Sequence, residues 1–188
     1  MNKRIVSALA CAFAFAASAF AAAPTALSGS WLSEEVSMTM PDESVMTDQY
    51  DIDFGTVEGT EGSCEFKEVA QLKNLNLQSM GHADVKINVS GSGKWILKDG
   101  TIEISLDPAT VKAGTTPDDI TLEVPDMVFT LMGTTSDEVK NQIGGMINEQ
   151  MVPQILSGLK KLTFKNADLE GTVLTVKDDQ TEVKFNRK

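Results

Sequence analysis

The chain has 188 residues, 27 of them Asp or Glu against 16 Lys or Arg and a single His, for a formal net charge of −11 at pH 7. That is one domain's worth of sequence, long enough to bury a sizeable core. The acidic excess argues against nucleic acid or an anionic membrane surface as a partner, since binding either would bring like charges together.

The first segment reads as an export signal. Lys3 and Arg4 precede a small, apolar run from Ile5 to Ala17, and Ala19-Phe20-Ala21 offers an Ala-x-Ala cleavage site before Ala22. The run is short and Ala-rich for a membrane span, and no later hydrophobic segment follows. Residues 1–21 are therefore expected to be removed as a secretory signal peptide, leaving residues 22–188 as one exported domain in the periplasm, outside the cell or at its surface, with no integral membrane segment. Cutting before Cys11 would leave too short an apolar region, so no lipid anchor is expected. Without the signal the charge falls to −13 and Cys64 is the one remaining thiol. No internal disulfide can then form, and the fold must be held by its core.

Further along, period-2 alternation recurs, which is the pattern of strands with one buried and one wet face. Leu32 is followed by Val36, Met38 and Met40 against Glu35, Ser37 and Thr39. Tyr50, Ile52 and Phe54 alternate with Asp51 and Asp53, while Cys64, Phe66, Ala70 and Leu72 oppose Glu65, Lys67 and Gln71. Val85, Ile87 and Val89 give the next strand. Gly91-Ser92-Gly93, lying between strand residues, predicts a bulge or a close backbone approach rather than a phosphate-binding loop. Asp99-Gly100, between Trp95-Ile96-Leu97 and the run Ile102, Ile104, Leu106, predicts a two-residue hairpin turn. A Gly/Thr/Pro/Asp-rich loop spans Ala113 to Asp119, and a strand at Ile120, Leu122 and Val124 ends at Pro125.

One stretch has a different period. From Ser136 to Leu159 the residues Val139, Ile143, Met146 or Ile147, Ile155 and Leu159 fall mostly three or four apart, and Thr135 with Glu138 makes a capping box. This predicts an amphipathic helix packed on the sheet or over one barrel end, with Pro153 forcing a kink or break near Met151. Three short strands follow at Leu162/Phe164, Leu174/Val176 and Val183/Phe185, with turns around Ala167–Gly171 and at Asp178-Asp179-Gln180. The sum is an all-β chain of about eight or nine antiparallel strands with one helical insertion before the last three. It should curl into a barrel or a strongly curved sheet, because closure removes exposed edges.

Gly29-Ser30-Trp31 opens the first strand and Arg187 ends the last. With the segments Gly93–Ile104 and Leu162–Arg187, this arrangement resembles the exported bacterial lipocalin-like proteins of the calycin type, most of them uncharacterised. The resemblance implies a barrel closed at one end by Arg187 over Trp31, on a scaffold that often holds a small apolar ligand. It departs from that pattern in the helix position. The interior residues expected to line such a site are Val36, Met38, Tyr50, Phe54, Phe66, Val85, Ile87, Ile102, Ile104, Phe164 and Phe185.

Catalytic and metal chemistry is sparsely represented. Cys64 and His82 are the only thiol and imidazole left after signal removal, and nothing in their spacing pairs them. Asp48, Asp51 and Asp53 suggest a Ca²⁺ site at most weakly, since no Asp-x-Asp-x-Asp-Gly loop is present and a solvated strand face explains them. Asn88-Val89-Ser90 is a glycosylation sequon in a strand context. Ten acidic and no basic residues lie between Pro24 and Phe66, against seven basic and five acidic from Lys160 to Lys188, so the first and last strands should attract if adjacent. The functional expectation is a non-enzymatic, cofactor-free exported protein that binds a small hydrophobic ligand in its barrel. The rival expectation is a protein-interaction module with a filled core, using its acidic face or its kinked helix.

Overall fold

The alternating segments form strands in the computed structural model, which describes residues 24–40, 43–58, 61–177 and 181–188. The expected signal peptide and the Asp178-Asp179-Gln180 turn lie outside the described residues. In chain order the elements are α1 (Pro24–Leu27), β1 (Gly29–Ser33), β2 (Val36–Thr39), β3 (Val45–Glu58), β4 (Glu61–Asn76), β5 (His82–Lys98), β6 (Thr101–Leu106), β7 (Lys112–Gly114) and β8 (Ile120–Glu123). Then come α2 (Asp126–Met132), α3 (Ser136–Gln150), α4 (Val152–Gly158), β9 (Leu162–Phe164), β10 (Asp168–Glu170), β11 (Val173–Lys177) and β12 (Glu182–Arg187).

All pairings are antiparallel, along the path β10-β11-β12-β1-β3-β4-β5-β6-β9. Long β5 is the spine: its second half pairs with β6, its middle with β7 and its start with β8. The path curls until its ends approach. Phe164 of β9 meets Phe185 of β12 edge-on at 5.9 Å between ring centroids, and the Lys177 amide donates to the Lys165 carbonyl at 2.8 Å. The result is an open, curled half-barrel rather than a ring of strand pairs.

Local chemistry explains the joints. Asp99 and Gly100 take positive φ values of 51° and 71°, as a type I′ hairpin turn requires. At Gly93 the expected close approach is present and no bulge is: β5 runs through in register, and an added Cβ would stand 2.1 Å from the Ser105 carbonyl oxygen. Thr135 and Glu138 form the capping box, and the helix breaks at Met151, one residue before the turn that carries Pro153. Val139, Ile143, Ile147, Val152 and Leu159 are buried with the sheet's apolar residues in one core, so the apolar stripe of the helix is spent on packing.

Several expectations are corrected. Leu32 is half-buried while its neighbours Trp31 and Ser33 are buried, so β1 turns its odd-numbered residues inward. The segment 167–171 is not all turn, since Asp168–Glu170 pairs with β11 and places Leu169 opposite Leu174. Part of the 113–119 loop is strand, with Val89 opposite Ala113. The strand at Ile120 stops at Glu123, and Val124 lies outside it.

The two ends of the chain lie side by side. Trp31 is opposite Arg187, whose guanidinium carbon sits 4.6 Å from the indole centroid and which donates to the Ala26 carbonyl. The fully buried Trp31 ring donates its Nε1–H to the Leu27 carbonyl at 2.7 Å. Lys188 Nζ reaches Asp51 Oδ2 at 2.7 Å, joining the basic end to the acidic beginning. Arg187→Ala removes both the stacked cation and the carbonyl contact at an exposed position, and is expected to destabilise by about 1–2 kcal/mol. An unchanged thermal midpoint would contradict that assignment.

Candidate functional site

Strand parity decides which side chains share the concave face. On β3 the even positions Met46, Asp48, Tyr50, Ile52 and Phe54 point inward, and on β4 Cys64, Phe66, Glu68, Ala70 and Leu72 do so. On β5 the inward set is odd, with Ala83, Val85, Ile87, Val89 and Gly91 buried. Two carboxylates therefore stand on an otherwise apolar face. Tyr50 lies opposite Glu68, which lies opposite Val89, while Asp48 lies opposite Ala70, with Val36 on its other side. Asp48 and Glu68 are thus diagonal neighbours, about 7–8 Å apart at the backbone and within reach through their side chains.

Nothing in the described chain neutralises them. Burial, and secondarily the charge of Asp48, pushes the Glu68 carboxyl up to about 7, and burial also raises Asp48. The Oδ1 atom of Asp48 is shut from solvent with no hydrogen-bond partner. A buried acceptor in that condition costs about 1–3 kcal/mol. Around the pair stands an aromatic wall: Tyr50 is 6.2 Å from Phe66 and 6.4 Å from Phe185, which continues to Phe164.

The expected interior residues divide into three groups. Phe54, Phe66, Val85, Ile87, Ile102, Ile104 and Phe185 are sealed in the core. Val36, Tyr50 and Phe164 are half-buried. Met38 is corrected: it is 63% exposed, because β2 pairs with β3 alone and leaves its far side open. The accessible part of the face is therefore the mouth marked by Val36, Asp48, Tyr50, Glu68 and Phe164.

Other candidate groups are dispersed. Cys64 is buried and its thiol is pushed up to about 12, first by burial and then by Glu65 and Asp53. It is opposite Gly93, whereas exposed His82 is opposite Asn76, eleven residues away along β5 or about 36 Å. Asp51 and Asp53 lie on the outer face, away from Asp48, paired respectively with Lys188 and the Ser30 hydroxyl. Among the described residues no group of three or more His, Cys, Asp or Glu is arranged to hold a metal. Asn88 is exposed, and its amide donates to Asp119. Short helix α2 leaves Met127, Leu131 and Met132 at 69%, 79% and 55% exposure. Among the described residues no helix is long and apolar enough to cross a membrane.

No protein-family model matches the chain, and no curated protein matches it in sequence.

Proposed function

We propose that this is an exported, lipocalin-like carrier that holds a small, mainly apolar molecule at the mouth of its curled sheet. The observation that supports the reading is the half-buried set Val36, Met46, Tyr50 and Phe164 on a face where Ile52, Phe54, Phe66 and Ile87 are sealed. Apolar surface kept partly accessible within a concave, aromatic-lined recess is what small-ligand sites present. Asp48 and Glu68 would meet the polar end of such a molecule, accepting from a hydroxyl or an amine. No catalytic role follows from this arrangement, and the reading is of a binding protein.

Nile red, a neutral apolar dye, tests it. The protein is expected to bind the dye with enhanced fluorescence, and Val36→Trp, which fills the mouth, should weaken binding at least about ten-fold while the circular dichroism stays unchanged. The double variant Met127→Ser/Leu131→Ser on α2 should bind as the parent does. A loss confined to the α2 variant would instead support the interaction-module reading, which draws on those exposed side chains.

A further inference from the structure

The mouth has a mechanical peculiarity that exists with or without a ligand. Beyond Ser33, β2 is the one described strand that pairs with the open side of β3, a strand of four residues in which Ser37, Met38 and Thr39 are exposed. The residue that joins β2 to the interior is Val36, and it lies directly opposite Asp48. A four-residue strand held by a single ladder is thus hung on the position of an inward carboxylate, with a second carboxylate diagonal to it on β4.

We propose that Asp48 and Glu68 form a proton-operated latch, which holds β2 and the adjoining part of β3 against the sheet while the pair is protonated and releases them when both carboxylates ionise. Two negative charges on an apolar face repel each other and each loses its hydration, and among the described residues no counter-charge lowers either carboxyl. Inward from β5 come Ile87 and Val89 and from β7 comes Ala113, all apolar. The buried positions of α3 carry no charged side chain. The other titratable groups on β3 and β4 that share this face are Tyr50 and the thiol of Cys64, which burial pushes up to about 12. Arg187 lies on β12, two strands from β3 and three from β4, engaged with Trp31 and the Ala26 carbonyl. The cheapest relief for the ionised pair is to let water in, and β2 is the part of the wall that can move with the loss of one short ladder. The upward displacement of both carboxyls supports the same picture, since it places the second ionisation close to neutral pH.

Amide hydrogen exchange on the full chain tests the latch, with rates corrected for the intrinsic effect of pH and read as protection factors. Protection at residues 36–39 and 45–50 is expected to fall at least about ten-fold between pH 5.5 and pH 8, while β5 and β6 keep theirs. Glu68→Gln should retain the protection at pH 8, and Glu65→Gln, on the outer face, should behave as the parent. Asp48→Asn gives the same readout should Glu68→Gln fail to fold. No fall in the parent, a fall spread evenly over the sheet, or an equal fall in the inward variants would overturn the proposal.

Discussion

Glu68→Gln is expected to stabilise the protein at pH 8 and to leave it nearly unchanged at pH 4.5. Glu68 ionises at about 7 in the folded chain against an ordinary value of 4.5, so between those values the folded state binds more protons than the unfolded state. Stability should therefore be highest below about pH 4.5 as far as this group is concerned, decline as pH rises towards 7, and level off above it. At about 1.4 kcal/mol per pH unit the whole displacement corresponds to roughly 3 kcal/mol, and partial access to water reduces this to about 2 kcal/mol or somewhat more. The amide keeps the shape and removes the charge. Urea titrations of parent and variant across this range check the sign directly, and parallel pH profiles would contradict it.

Gly93→Ala is expected to cost about 3 kcal/mol. An added Cβ there would stand 2.1 Å from the Ser105 carbonyl oxygen and 2.7 Å from the Leu106 Cα, both backbone atoms of the neighbouring strand β6. Neither can step aside as a side-chain tip could, so the β5–β6 pairing around Gly93 and Leu106 must open or shift. Gly145→Ala is the contrasting case, because a Cβ there meets nothing within 4 Å on an exposed turn of α3. Helix propensity alone should make that variant more stable by about 0.5–1 kcal/mol. Denaturation midpoints that move equally in the two variants would contradict the close approach at Gly93.

Much of this architecture is legible in the sequence because it depends on local patterns. The alternation in β3, β4 and β5, the Asp99-Gly100 turn, the Thr135/Glu138 box and the break before Pro153 each express a preference of a few neighbouring residues. The pairing of Trp31 with Arg187 is legible for another reason: Gly29-Ser30-Trp31 near the start and Arg187 at the end resemble a lipocalin-type pattern, and the expectation comes from that resemblance. What escapes notice has no local pattern. The strand β10 carries one apolar residue, Leu169, between charged neighbours, and depends on a partner already in place. The helix α2 packs little of its apolar content and leaves three large side chains exposed, so its run Met127–Met132 has no clean period.

The mouth was within reach of sequence reasoning but hidden by expectation. Alternation followed strictly puts Glu68 in the same file as Phe66 and Ala70, and Asp48 in the same file as Tyr50 and Ile52. Acidic residues are normally assigned to the wet face, so the interruption reads as noise. Only the register between β3 and β4, which brings the two carboxylates together, turns two irregularities into a site. Glycine acts the same way at Gly93, where the requirement comes from β6 and not from the residues on either side.

The central claim is that two uncompensated carboxylates face an apolar interior at the mouth of the sheet. Carbon-13 detected NMR titration of the Glu side-chain carboxyls, with Glu68 assigned through Glu68→Gln, tests it most directly. The account predicts that Glu68 titrates with a midpoint at about 7, displaced upward when Asp48 is charged. A midpoint in the ordinary range near 4.5 would show that the carboxylate is in water, and would contradict both the site and the latch.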